Sequence, residues 1–167
     1  MKTIDYKIEK ALESDLEEIL SLQKRAYVSE AEIIDDFSIQ PLTQTIGELK
    51  EEFKSSTILK AVDSEKIIGS IRAFEKDGIC NIGKLIVHPY FQNRGIGRKL
   101  LDTIESIFES CRKYALYTGS ESVKNLHFYD KAGYKIVDNE KVSDKLTLVY
   151  LEKENPQSAM ASFSGES

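Results

Sequence analysis

Apolar and polar residues alternate along this chain in two distinct rhythms, and the switches between them mark its elements. A short alternating run over residues 6–9 reads as a strand, followed by Ser14-Asp15-Leu16-Glu17, which has the S-x-x-E form of a helix capping box. Leu12, Leu16, Ile19, Leu20 and Tyr27 then recur at helical spacing, with Glu17, Glu18, Lys24 and Arg25 on the other side, as in a helix lying on a sheet. Residues 33–45 are polar and irregular around Pro41, and a second short helix is expected over 47–53. Three strand-like runs follow at 57–62, 66–75 and 79–87. The first turn between them is Asp63-Ser64-Glu65, and the second, Lys76-Asp77-Gly78, contains the strong hairpin signal Asp-Gly. An antiparallel meander is the simplest reading.

After Pro89 the period becomes helical again. Ile96, Leu100, Leu101, Ile104, Ile107 and Phe108 align on one face of a helix expected over 94–110. A strand at 114–118, a helix at 123–131 and two strands at 134–142 and 145–152 complete the series. The order β-α-α-β-β-β-α-β-α-β-β implies an α/β fold, a mixed sheet of seven strands with four helices on its faces. One domain is expected over residues 1–153. Residues 154–167, rich in Ser and poor in large apolar groups, are expected to be a disordered tail.

Composition narrows the function classes. A chain of 167 residues with 41% hydrophobic and 31% charged residues can bury a core without disulfides or metals. Its apolar runs are too short to cross a bilayer, and its start lacks the form of a secretory signal, so a cytoplasmic protein is expected. Cys80 and Cys111 have no metal-ligand spacing and read as buried thiols, with no metal site. The net charge of −5 disfavours nucleic-acid binding.

The candidate chemistry lies where the third meander strand meets the following helix. There Leu85-Ile86-Val87-His88-Pro89 leads into Gln92-Asn93-Arg94-Gly95-Ile96-Gly97-Arg98-Lys99. Gly95 and Gly97 permit a tight turn and close backbone approach, so that N–H groups and the helix N-terminus can converge on a pyrophosphate. Arg94, Arg98 and Lys99 at a helix start oppose the helix dipole and favour an anionic ligand. A G-x-G-x-x-G fingerprint would need glycine where Leu100 stands, and no G-x-x-x-x-G-K-[ST] occurs, which excludes two common phosphate motifs. What remains is Q-x-x-G-x-G, and a match to the looser R/Q-x-x-G-x-G/A pattern would arise by chance in roughly one in ten chains of this length. Its context adds the specificity: a strand before it, an amphipathic helix after it, and Tyr129-Asp130-Lys131-Ala132-Gly133-Tyr134 some thirty residues on.

These two motifs, in this order, resemble those of the GCN5-related N-acetyltransferase superfamily, whose CoA turn is Q/R-x-x-G-x-G/A and whose next motif contains Y-x-K-x-G-F/Y. The resemblance implies a sheet splayed open between the strands ending at Val87 and Thr118, with acetyl-CoA in the gap. It implies that residues 92–99, namely Gln92, Asn93, Arg94, Gly95, Ile96, Gly97, Arg98 and Lys99, cradle the CoA pyrophosphate, chiefly through main-chain groups. Leu85, Ile86 and Val87 would offer a strand edge to the pantetheine arm. Tyr129 corresponds to the family's general acid at the CoA sulfur. Full transfer from a phenol of pKa about 10 to a thiolate near 8.5 is uphill by about 2 kcal/mol, so hydrogen bonding to the leaving thiolate is its main expected role. One common family pattern places Asn seven residues before this Tyr. Ser122 stands there and Asn125 stands four before; of the two, Asn125 is the favoured CoA contact.

The implied activity is acetyl transfer to a primary amine of a small molecule, a protein N-terminus or a lysine, by direct attack. An amine of pKa near 10.4 is neutral in only about one molecule in a thousand at pH 7, so a base or water chain is required. Glu32, Asp35, Glu75 and His88 are the candidate bases. Asp36, Gln40, Thr43 and Gln44, in the polar 33–45 segment, are the candidate acceptor wall. A monomer or a homodimer would serve. Two other functions compete: a catalytically silent acetyl-CoA-binding sensor or regulatory module, and a phosphate-binding module unrelated to CoA.

Overall fold

A computed structural model describes residues 4–157. Seven strands form one sheet in the order β1-β2-β3-β4-β5-β7-β6. Strands β1 (Lys7–Lys10), β2 (Thr57–Asp63), β3 (Lys66–Lys76) and β4 (Ile79–Val87) make an antiparallel meander. Helix α1 (Leu16–Ile34) buries Leu16, Ile19 and Leu20, and also Gln23 and Ala31, on one face of this half. Short α2 (Gln40–Thr43) and α3 (Ile46–Ser55) pack beside it. Helix α4 (Ile96–Ile107) covers the opposite face with Ile96, Leu100, Leu101 and Ile104. It returns the chain to β5 (Lys113–Gly119), parallel to β4. Helix α5 (Val123–Lys131), β6 (Lys135–Lys141) and β7 (Thr147–Glu154) follow, with β5–β7 and β7–β6 antiparallel.

Two apolar cores result, one on each side of the sheet. The α4 side gathers Ile68, Ile71, Ile82, Leu100, Tyr114 and Leu151 among others. The α1 side gathers Leu16, Ile19, Leu49, Ile58, Ile67 and Ile86. The feature that positions the site is the β4–β5 pairing. It is confined to Ile79↔Lys113, Cys80↔Tyr114 and Asn81↔Ala115, so the remainder of β4 runs on with no neighbour on that edge. The sheet is therefore open between residues 82–87 and the end of β5.

Three local expectations change. The capping box expected at Ser14 does not form. Instead the Asp15 carboxylate accepts from the Leu12 N–H at 2.7 Å, because it is already drawn to Lys60 on β2 at 2.7 Å. A reciprocal box appears at Thr45, whose hydroxyl accepts from Glu48 N–H (3.2 Å) while Glu48 accepts from Thr45 N–H (2.8 Å). The 33–45 segment is less irregular than its polarity suggests: α1 continues to Ile34, and Pro41 sits in the first turn of α2, where its missing N–H costs nothing. The folded part also runs past residue 153. Glu154 belongs to β7, and buried Asn155 donates to the carbonyls of Glu109 (2.7 Å) and Cys111 (2.6 Å). The remainder of the expected tail, residues 158–167, lies outside the described residues.

Candidate active site

Where the two strands part, β4 and the turn after it open into a cavity of about 590 Å³. Its walls come from four places: Ala26, Tyr27, Ser29, Glu30 and Ile33 on α1; Leu85, Ile86 and Val87 on β4; Phe91, Gln92, Asn93, Gly95, Ile96, Gly97 and Arg98 around the turn; and Ser122, Val123, Lys124, Asn125, Phe128 and Tyr129 at α5.

The turn has the geometry an anion needs. Asn93 (φ +63°) and Gly95 (φ +83°) both adopt left-handed conformations, which bend the chain sharply into α4. The first bond into the helix is donated by Lys99 to the Gly95 carbonyl at 3.1 Å. The N–H groups of Ile96, Gly97 and Arg98 therefore have no acceptor within the helix and form the positive end of its dipole. A Cβ at Gly97 would touch Val87 Cγ2 at 3.6 Å and Phe128 Cζ at 3.8 Å, so the absence of a side chain keeps the floor of the turn low. Gln92 Nε2 donates back to the Val87 carbonyl at 3.3 Å, tying the turn to the strand end.

Of the residues that sequence singled out for the cofactor, Leu85, Ile86, Val87, Gln92, Asn93, Gly95, Ile96, Gly97, Arg98, Ser122 and Asn125 line this cavity, as does Tyr129. Arg94 and Lys99 do not. Arg94 lies over the Phe91 ring at 5.7 Å, and Lys99 over the Tyr6 ring at 5.9 Å. Arg98 is partly neutralised by Asp102 at 3.0 Å.

None of the four candidate bases lines the cavity. Glu32 and Asp35 are exposed at the end of α1. Glu75 sits near the opposite end of β3, paired in register with Cys80 and accepting from the Cys111 thiol at 3.6 Å. His88 is buried, and its Nδ1 accepts from Tyr90 N–H at 3.0 Å to cap the turn of 3-10 helix after β4. Burial, then Arg25 and Lys66, lower its pKa. The four candidate acceptor residues are likewise outside it. Asp36 accepts from Ser38, Thr43 bonds back to main-chain carbonyls, and Gln40 is exposed. Gln44 is buried in a polar network: it accepts from Gln23 (2.9 Å) and Arg72 (3.1 Å) and donates to Glu52 (2.9 Å).

Sequence reasoning missed Glu30. Its carboxylate accepts from the Ser122 hydroxyl and, at 3.2 Å, from Asn125 Nδ2, which also reaches Thr118 Oγ1 at 3.3 Å. Helix α1, from the first half of the sheet, thereby clasps α5 and β5, from the second. Only its one-turn spacing from Tyr27 on α1 could have hinted at it. Tyr129 is buried, and burial first, then the charge of Glu30, raise its pKa. Tyr27 is raised in the same way, by burial and then by Tyr129, Tyr117 and Glu30, with Arg72 opposing.

A family model described as "Acetyltransferase (GNAT) domain" matches residues 25–155. The chain belongs to this family. It is 28% identical over 131 residues to the "UPF0157 protein YqkA" of Bacillus subtilis, which covers 78% of this chain and 38% of that protein. It is also 28% identical over 95 residues to "Probable N-acetyltransferase 14" of Danio rerio, covering 53% of this chain and 34% of that one. The chain thus spans well under half the length of the curated relatives it matches. Among solved structures it shares the fold of the PaiA N-acetyltransferase from Thermoplasma acidophilum in complex with coenzyme A, with a TM-score of 0.73 and 18% identity over 90% of this chain and 99% of that one. The cofactor of a GNAT acetyltransferase is acetyl-CoA, and the residues present fit it. The unpaired β4 edge suits a peptide-like pantetheine arm, and the free N–H groups at the start of α4 suit a diphosphate.

Proposed function

We propose that this protein is an acetyl-CoA-dependent N-acetyltransferase that acetylates a primary amine by direct attack. The observation that carries the reading is a GNAT cleft in which a buried phenol and a clasped carboxylate face the same cavity as the anion-binding turn. When bound, acetyl-CoA supplies an activated acyl carbon and a good leaving thiolate. The chain's part is to bind, orient and move protons.

Gln92, Asn93 and residues 95–98 would hold the diphosphate end, and residues 85–87 would align the arm along β4. Tyr129, with its pKa raised by burial and by Glu30, stays protonated through neutral pH and can donate its hydroxyl proton toward the departing sulfur. Glu30 carries the negative charge on the cavity wall where an ammonium group would be held and deprotonated. Both cysteines favour direct attack over a covalent thioester: burial pushes the Cys80 thiol up to about 12, and burial and Glu75 raise that of Cys111. The relatives' names and the family support acetyl transfer in general, and the Glu30 carboxylate on the same cavity wall as Tyr129 supports an amine acceptor.

Free-thiol release from acetyl-CoA, measured across a panel of primary amines, tests the reading. The wild type should release CoA with at least one amine, and Tyr129→Phe should lower kcat by about a hundredfold with little change in acetyl-CoA affinity. Binding of acetyl-CoA without release for any amine would leave a silent sensor as the better description.

A further inference from the structure

Strand β4 carries a second feature on the face away from α4. Gly83 pairs with Arg72 and Ile86 pairs with Ser70, so Lys84 and Leu85 together oppose the single residue Ile71. At this bulge Lys84 has φ +50°, a left-handed conformation that costs about 1–2 kcal/mol for a residue with a Cβ. Leu85 and Val87 pack toward the α4-side core. Lys84 is turned to the other side, where its charged neighbours are Arg72 of β3 and Glu52 of α3.

Charge on that side does not cancel. Glu52 is already engaged, with Arg72 Nε at 2.7 Å, off the line of the N–H, and Gln44 Nε2 at 2.9 Å. Arg72 itself is buried and spends its terminal nitrogen on Gln23 (2.7 Å) and Gln44 (3.1 Å). Lys84 makes no ion pair or hydrogen bond among the described residues. The only sealed, unpartnered side-chain atoms among those residues are Arg72 Nε and His88 Nε2, so the half-buried Lys84 keeps its ammonium open to solvent. Burial, then Arg72, bring its pKa down to about 8 against the pull of Glu52. A half-buried cation with no ion-pair partner costs free energy, and so does the backbone that aims it.

The site lies beside the cleft. Lys84 directly precedes the β4 segment that lines the cavity, and Tyr27 on the cavity wall is within electrostatic reach of Glu30 and Tyr129 on one side and Arg72 on the other. We propose that Lys84 binds a carboxylate on the acceptor, so that the acceptor is an amine that also carries a carboxylate. Its amine end meets Glu30 and Tyr129, and its anionic end meets the β4 bulge. The amine half rests on the transferase reading above, whereas the carboxylate site can be tested without turnover.

Calorimetry in the presence of CoA, with ω-acetamido carboxylic acids of several chain lengths and their neutral carboxamide counterparts, reads the anion site directly. At pH 7 the wild type should bind at least one acid about tenfold tighter than its neutral counterpart. Lys84→Met should remove that difference and Lys84→Arg should keep it. Between pH 7 and 9 the wild-type preference should fade as Lys84 loses its proton, while Lys84→Arg holds it. The charged groups that face Lys84, Arg72 and Glu52, are the same in the wild type and in Lys84→Arg, so the comparison isolates the contribution of Lys84. Equal binding of acid and neutral ligand by the wild type, or an unchanged preference in Lys84→Met, overturns the proposal. In turnover, ω-amino acids should be preferred over matching alkylamines, and Lys84→Met should abolish the preference. Failure of every amine to release CoA would count against the transferase reading, and the calorimetry would still decide the carboxylate site.

Discussion

A single carboxylate, Glu30, ties the two sides of the cleft together. It accepts from Ser122 and Asn125 across the opening, and its charge helps keep Tyr129 protonated. Replacing it with glutamine keeps the volume and one acceptor oxygen but removes the charge. Glu30→Gln should lower kcat/KM by about a hundredfold, because the negative charge proposed to hold and deprotonate the acceptor amine is gone. An unchanged kcat/KM would assign Glu30 to holding α1 against α5 alone. This residue was not legible in the sequence, where it stands as one of several acids near the end of an amphipathic helix. Its partners are 92 and 95 positions away, and no local pattern encodes such a contact.

At the scale of elements, the turn into α4, whose first N–H groups have no acceptor in the helix, was the most legible part. Two glycines, a preceding strand and a following apolar stripe are all local signals, and strand–turn–helix follows from them. The second motif is equally local in its structural part. Gly133 (φ +98°) ends α5 with Tyr134 N–H bonding back to the Tyr129 carbonyl at 2.9 Å, and the buried Tyr134 hydroxyl donates to Glu105 on α4 at 2.7 Å. At Gly95 a Cβ would meet no atom within 4 Å, so the cost of a side chain there is conformational. Gly95→Ala should destabilise the fold by about 1–2 kcal/mol and weaken acetyl-CoA several-fold, seen as a lower Tm and a higher calorimetric Kd. An unchanged Kd would move the diphosphate away from this turn. The segment before α3 was misread because polarity suggested a loop. Gln23 and Gln44 are polar yet buried, since Arg72 and Glu52 satisfy them, and only the assembled network makes that burial tolerable.

For the whole molecule the decisive fact is that the sheet's two halves share only three paired positions between β4 and β5. Below that short seam they are held by side chains across the cleft, so a ligand that spans it binds the folded state alone and adds stability by mass action. Acetyl-CoA at a hundred times its Kd should raise stability by about 2.7 kcal/mol, a rise in Tm on the order of 5–10 °C in thermal unfolding. Adenine nucleotides without the pantetheine arm should give much less, and an equal shift would point to a general phosphate site. No described helix is long and apolar enough to cross a membrane.

The sequence by itself determined the element order, the mixed sheet, the glycine turn and the phenol, because each depends on periodicity, turn chemistry or spacing within a few tens of residues. Only the tertiary structure decided which acids meet the cleft. Glu32, Asp35 and Glu75 are carboxylates like Glu30, yet the pitch of α1 and the splay of β4 from β5 bring Glu30 alone of these four to the cavity. The same holds for Lys84, whose side chain is aimed by a one-residue bulge in the pairing of β4 with β3, a register event between strands that neither strand records on its own.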